Sequence, residues 1–538
     1  MADFFTRFVR GFQGRGYSLT PAMIWFFIVF IMAVVLRCMA WSNTAVITPD
    51  GAAYIFQAKA IFYGQWNDIA DCGAGFKFFT VYPFLIAAFY NVFPDWVIAG
   101  RAINFTFGVA TIIPLYLLLR QFFDYRISAL TTLIVAVSPF FVGTSVDVLR
   151  DPIYWFLSMM GLYLFTVCMK DENHLFLFLS SLFFLLAAWT KHEAIILLAV
   201  SFIYLLWKDR HIAKIFIFLS PVIAFIALAF IIAGLIKTSI SELNKVDVFV
   251  IGFLNSFSSY VVLGNELGVL EKSIDGQTQS ILKFFLQEAQ MNIWLVALGM
   301  LMNRLLEASI YVLIIPFMIG FAKLKKIKED PRLIYFLLLA VSILSALYLF
   351  VIQTWGLQYR YMAIFTLSSI VFAGVGLESV VKWFSSRYKL KETLVIIILA
   401  FMMLFSSLPK NMTTRDSDKI VFKEIGEFMV KREGGNNRAI SVSSPMEIQR
   451  WISFYANLNY QGAVCPEASE QTSWEIFAKQ KTLVEQLKQR DIKYFLWTEK
   501  TWFGRRLDVA GHIEYLKKLG TWEHEDTGKM ILYEVLYH

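Results

Sequence analysis

The feature that most limits how this chain can fold is a recurrence of apolar stretches, each about long enough to cross a bilayer and each closed by charged residues. A hydrocarbon core about 30 Å thick takes about 20 mostly apolar residues of helix. The first such stretch covers residues 22–40. Others run over 97–119, 127–146, 153–169, 175–189, 194–207, 212–236, 305–321, 333–352, 362–381 and 393–408, about eleven in all. Of the 538 residues, 58% are hydrophobic and 17% charged, against about 45–50% and about 25% in soluble domains. The natural solvent of such a chain is lipid. An aromatic share of 17% also excludes disordered and collagen-like chains, which lack this much apolar material.

Charge gives the spans a direction. Arg7, Arg10 and Arg15 precede the first stretch, and basic flanks stay cytoplasmic. No small-residue cleavage site follows at a suitable distance, so this stretch reads as a retained anchor. Counting alternately from there, the inside turns receive Arg120 and Arg126, then Lys170, then Lys208, Arg210 and Lys214, then Lys323 to Arg332, then Lys382, Arg387, Lys389 and Lys391. Every basic cluster falls on one side. The net charge of +8 is explained by this asymmetry and calls for no nucleic-acid partner. An odd number of spans places the tail outside. The expected location is a bacterial inner membrane, with the N-terminus cytoplasmic and the C-terminal domain periplasmic.

On this reading residues 1–409 form a transmembrane module and 410–538 an extracytoplasmic domain. Two outside loops interrupt the module. In the first, 41–100, segments 51–63 and 78–93 read as helices lying in the membrane interface. Counting 79–93 as a span would invert everything downstream and destroy the charge asymmetry. The second, 237–303, carries Glu242, Asp247, Glu266, Glu271 and Asp275 and is long enough to suggest a functional role. In the tail, helical spacing over 417–431, 445–458 and 472–488 alternates with strand patterns at 439–443, 492–498, 521–525 and 529–535. That order suggests a small α/β domain with a largely parallel core and a terminal hairpin. The fold class is therefore a polytopic α-helical membrane protein, with interfacial helices in its first outside loop and a C-terminal soluble α/β domain.

Ionisable groups at the mouth of a membrane core are expensive, which makes them candidates for function. On the expected outside face these are Asp50, Lys59, Arg101, Asp147, Arg150, Asp151, Lys191, His192, Glu193 and Arg360. Each also has a plain structural reading. Asp50 and Asp151, the latter followed by Pro152, stand where helices begin and suit capping of backbone N–H groups. Arg101, Lys191 and Arg360 lie at span ends, where long cationic side chains reach for headgroups. Lys191, His192 and Glu193 suit mutual pairing. Six histidines without HxxxH or HExxH spacing give no metal signal. A divalent cation is the one cofactor to consider; Asp50 and Asp151 would offer the oxygen ligands that Mg²⁺ or Mn²⁺ prefer.

The run Thr48-Pro49-Asp50-Gly51-Ala52-Ala53-Tyr54 is followed by Val81-Tyr82-Pro83 and by Arg101 opening a span. Asp151-Pro152, Thr190-Lys191 and Tyr359-Arg360-Tyr361 complete the series. In order and expected sidedness these motifs resemble the GT-C glycosyltransferases, and most nearly the protein O-mannosyltransferase and aminoarabinose-transferase branch. The resemblance runs from about residue 22 to the end. It implies that an acidic residue of the first outside loop, here Asp50, serves the acceptor. Relatives often carry a second acid next to it; this chain has Gly51.

The resemblance further implies a donor sugar joined to a polyprenyl phosphate, with membrane lipids around its tail and a lipid, glycan or protein acceptor. Arg101, Lys191 and Arg360, with Lys59, would clamp the phosphate. Asp50 would take the proton of an attacking hydroxyl as general base, and a single displacement would invert the anomeric centre. Asp151, Asp147 and Arg150 would support that group, as would Tyr54, Tyr361, His192 and Glu193. Cys72 and Cys465 share the expected oxidising compartment, where a bridge between them would tether the tail. A transporter or flippase of lipid-linked sugars is the alternative. It should show internal repeats and midplane charges, whereas the candidate charges here gather at one face.

Overall fold

The computed structural model describes residues 20–66, 80–208, 211–236, 246–274, 280–308, 314–435, 438–478, 483–501 and 514–536. The apolar stretches are largely helical over their described residues. Among the described residues six helices are long and apolar enough to cross a bilayer alone, and the pair Ile281–Met291 and Ile293–Ala308, bent by 78°, would make a seventh, mostly within the segment expected as an outside loop. Of the other expected spans, 127–146, 175–189 and 212–236 fall on the shorter apolar helices Tyr125–Val137, His174–Thr190 and Ile212–Leu228. A proline at 139 and a non-helical Ser138 divide the 127–146 stretch into two pieces. The chain is a multi-pass membrane protein.

The chain forms two compact units. One comprises Met1–Leu36, Phe107–Val142 and Pro152–Asn411; the other comprises Arg37–Thr106, Gly143–Asp151 and Met412–His538. The first outside loop, 41–100, falls in the same unit as the tail.

The first unit is helical. Its helices Ile314–Ala322 and Met362–Tyr388 meet backbone to backbone: a Cβ at Gly320 would lie 1.8 Å from the Phe372 carbonyl oxygen, and one at Gly376 would lie 1.9 Å from that of Pro316. Small residues at the contact are how helices approach in lipid, where no hydrophobic force draws them together. The basic turns gather at one end of this unit. Arg332 donates to the Gln121 carbonyl at 3.1 Å. Glu378 accepts from Lys326 at 2.5 Å and from Lys382 at 2.7 Å, and Arg126 donates to Thr393 at 3.0 Å. The 237–303 segment, expected as a polar loop, is largely helical where described, as Val246–Ser273, Ser280–Met291 and the start of Ile293–Ala308. Gln287 and Gln290 tie two of these helices together through Glu271 and the Gly264 carbonyl.

The second unit holds the sheet. Strands β1 (Val442–Ser443), β2 (Tyr494–Thr498), β3 (Leu516–His524) and β4 (Gly528–Val535) are ordered β1-β2-β4-β3. Only β1 and β2 pair in parallel; β4 runs antiparallel to both β2 and β3. This corrects the expectation of a largely parallel core. The terminal hairpin fills the other side of β2, and a hairpin is antiparallel by construction. Alternation along β2 serves two helix layers. Tyr494 and Leu496 join Phe422, Ile425, Ile448 and Ile452 on one face, while Phe495 joins Ile476, Leu483 and Leu487 on the other. A central strand buried on both faces reads as a continuous apolar run, as YFLWT does.

Candidate active site

Asp50 lies in the first turn of the helix Pro49–Phe62, behind Thr48 as an extended N-cap and Pro49 at the favoured first position. The backbone leading into this turn is held by side chains from three distant parts of the second unit. Arg101 donates to the Val46 carbonyl at 3.3 Å. Tyr455 accepts the Ile47 N–H at 3.1 Å, and the Trp451 indole donates to the Ile47 carbonyl at 2.8 Å. Asp147 accepts the Thr48 N–H at 3.3 Å. Residues Gly51 to Ala60 of the helix are buried, whereas the Asp50 side chain keeps 35% of its surface exposed. Its carboxylate is 3.9 Å from Arg450, which Glu470 fixes at 2.6 Å.

The other candidates of this unit lie close by in role and contact. Arg101 is buried, and its Nε has no hydrogen-bond partner among the described residues. Asp147 is partly buried. Burial pushes its carboxyl above the usual range, against the pull of the Val148 and Thr48 N–H groups and of Arg101. Asn104 donates to the Asp147 carbonyl at 2.5 Å. Arg150 stands 6.0 Å over the Tyr54 ring, and Tyr54 meets Tyr82 edge-on at 5.3 Å. Asp151 is buried as the first residue of the helix Asp151–Asp171.

Lys59 has a different use from the one expected. Its Nζ donates to the carbonyls of Asn457 at 3.0 Å and Leu458 at 3.2 Å, satisfying the end of the tail helix Met446–Ala456. Burial holds its amine down to about 8.

The first unit brings together the rest. Lys191, in extended conformation just past the helix His174–Thr190, is buried. Its Nζ stands 4.7 Å over the Tyr361 ring and 5.6 Å over that of Tyr154, and 3.7 Å from Glu193. Arg360 covers the same Tyr361 ring at 5.7 Å. Two cations thus share one aromatic ring, an arrangement that spreads their charge over π surface. His192 is exposed in a short 3-10 turn.

Arg450, Trp451 and Tyr455 were not legible from sequence, because Met446–Ala456 reads as an ordinary amphipathic helix and its partners lie some four hundred residues away. Asp50 and Asp151 belong to no group of three metal-ligating side chains among the described residues; the one such group is Asp418, His524 and Asp526, whose ligand atoms lie within 4.8 Å of one another. Gly51 denies Asp50 a neighbouring acid, and a Cβ there would lie 3.0 Å from Val148. Cys465 is disulfide-bonded, and its expected partner Cys72 lies outside the described residues.

A profile of the dolichyl-phosphate-mannose-protein mannosyltransferase family matches residues 80–233. No curated protein matches over the chain. Among solved structures, ArnT from Cupriavidus metallidurans, bound to undecaprenyl phosphate, is similar with a TM-score of 0.55 at 11% identity, covering 95% of this chain and 98% of that one. The Archaeoglobus fulgidus oligosaccharyltransferase, solved with zinc and sulfate, gives a TM-score of 0.55 at 14% identity over 94% of this chain and 72% of that one. The oligosaccharyltransferase AglB from Archaeoglobus fulgidus, with an inhibitory peptide and a dolichol-phosphate, gives 0.51 at 13% identity over 94% and 74%. The chain has the fold of the GT-C glycosyltransferases, resembling the protein O-mannosyltransferase and aminoarabinose-transferase branch.

Proposed function

We propose that this protein is an integral-membrane glycosyltransferase that moves a sugar from a polyprenyl-phosphate donor to a hydroxyl, amine or phosphate of its acceptor. The observation that carries the reading is Asp50: a carboxylate left partly open at the start of a helix that is otherwise buried, on a backbone fixed by Arg101, Asp147, Trp451 and Tyr455. A general base has to be both reachable and held still. The likeness in fold to proteins solved with undecaprenyl phosphate and dolichol-phosphate supports a lipid-phosphate donor.

In the scheme, the acceptor oxygen attacks the anomeric carbon as its proton passes to Asp50. The bond from that carbon to the phosphate oxygen breaks, and its electron pair leaves with the prenyl phosphate. One displacement inverts the centre. The leaving dianion needs charge stabilisation more than a strong acid. Two cationic groups are suited to it: Arg101, whose buried Nε has no hydrogen-bond partner among the described residues, and Lys191 with Arg360 over Tyr361. Lys59, engaged with carbonyls, is left out of the clamp.

The test is release of free prenyl phosphate by the purified protein supplied with a panel of polyprenyl-phosphate sugars. Asp50→Asn should lower turnover at least about 100-fold with its melting temperature retained. Arg101→Gln and the double variant Lys191→Gln/Arg360→Gln should raise donor KM, and the larger rise identifies the phosphate ligand. Wild-type turnover by Asp50→Asn, or no release from any donor, would overturn the proposal.

A further inference from the structure

At the basic end of the first unit a cavity of about 410 Å³ opens between helix termini. Its rim carries Lys170, Lys208, Lys214 and Arg332 against a single acid, Asp330. Its floor is apolar, with Phe165, Cys168, Leu177 and Leu205 among the lining residues. Helix geometry puts this cavity far from the Lys191 and Arg360 group. Lys208 ends the helix Ile195–Lys208 that starts just past Lys191, and Arg332 opens the 24-residue helix Pro331–Thr354 that precedes Arg360. At 1.5 Å per residue that helix is about 36 Å long.

Two of the four cations are already committed. Asp330 holds Arg332 through both carboxylate oxygens, at 3.0 and 2.7 Å, and the guanidinium stacks 4.6 Å over Phe122. Lys214, itself buried, is 3.4 Å from Glu172. Lys170 and Lys208 are exposed at the rim and have no ionic partner among the described residues. A rim with surplus positive charge over an apolar floor recognises an amphiphile whose head is an anion. The surface next to the opening is apolar as well. Ile203 and Trp207 on one flanking helix and Ile212 and Phe216 on the next are between 55% and 69% exposed, as lipid-facing side chains are in a helix that borders hydrocarbon.

We infer that this cavity binds the phosphodiester headgroup of an anionic membrane phospholipid, with its acyl chains lying along the exposed faces of Ile195–Lys208 and Ile212–Ile236. The apolar floor and the bordering lipid-facing wall favour a lipid over a soluble anion. The cavity size suits a headgroup with its first methylenes, near the lower end for ligand pockets.

The experiment uses the full chain purified in a neutral detergent and titrated with phosphatidylglycerol, with phosphatidylcholine or with glycerol 3-phosphate. Phosphatidylglycerol should raise the melting temperature saturably, and the other two should not. Lys170→Gln/Lys208→Gln removes two exposed charges, so the variant should melt like wild type without lipid and bind phosphatidylglycerol about tenfold more weakly or worse. Lys517→Gln/Lys518→Gln, with the same charge loss on β3, should bind as wild type. Equal shifts with both phospholipids, a full shift with glycerol 3-phosphate, or equal binding by the two double variants would each overturn the assignment.

Discussion

Gly51 lies against Val148 so closely that a Cβ at position 51 would stand 3.0 Å from both the Val148 Cβ and its carbonyl oxygen. The residue after the candidate base is therefore set by packing against a buried loop, which leaves no room for a second acid. Gly51→Ala forces the first turn of Pro49–Phe62 away from Val148 and should cost about 1–3 kcal/mol, read as a lower melting temperature together with reduced transfer. Gly51→Asp should lose more of both. A Gly51→Asp protein with wild-type stability would show that the loop yields, contrary to this packing.

Asp147 accepts two part-buried N–H groups, those of Thr48 at 3.3 Å and Val148 at 2.7 Å. Asparagine keeps an acceptor oxygen in that place; alanine leaves both donors unsatisfied. Asp147→Ala should destabilise by about 2–4 kcal/mol, whereas Asp147→Asn should melt within a few degrees of wild type. Thermal unfolding of the pair separates this positioning role from a chemical one: if Asp147→Asn folds normally yet loses transfer as completely as Asp50→Asn, the carboxylate acts in the reaction.

The tail takes part in presenting Asp50. Trp451 donates to the Ile47 carbonyl, and Phe422 stacks on its ring at 5.6 Å. Trp451→Phe preserves the stacking and removes the bond, so it should lower transfer about tenfold through a looser Thr48–Asp50 turn while the tail core stays folded. Unchanged kinetics in Trp451→Phe would place that turn's rigidity elsewhere.

What could be read from sequence follows from the range of the interactions involved. The spans and the gathering of Arg126, Lys326, Arg332 and Lys382 at one end were legible, because a bilayer acts on every residue by the same rule and leaves a periodic, sided pattern. Asp50 and Arg101 drew attention in the sequence as charges near the ends of spans. The bonds of Tyr455 and Trp451 to Ile47 were not, since a partner four hundred residues away leaves no local mark. The contacts of Lys59 were hidden for the same reason: its surroundings in sequence look interfacial, but the carbonyls that hold it come from the tail. Strand existence was legible in the tail, while strand direction depends on connections that periodicity does not encode.

Lys59 also makes stability depend on pH in a direction that can be worked out. Its amine is held down to about 8 by burial, against 10.5 for an exposed lysine. Below pH 8 folded and unfolded chains both hold the proton, and the folded state bears the cost of a buried charge. Between pH 8 and 10.5 the unfolded chain binds more protons than the folded one, so stability rises with pH across that window. The full gain is at most about 3 kcal/mol. Lys59→Met removes the titration and also strips the Asn457 and Leu458 carbonyls of their donor, so the variant should melt below wild type at every pH. The gap between the two should widen steadily from pH 8 to pH 10. Melting curves of both proteins in one detergent across that range measure it, and a gap that stays constant would mean the amine titrates as an exposed lysine does and is not buried against the tail.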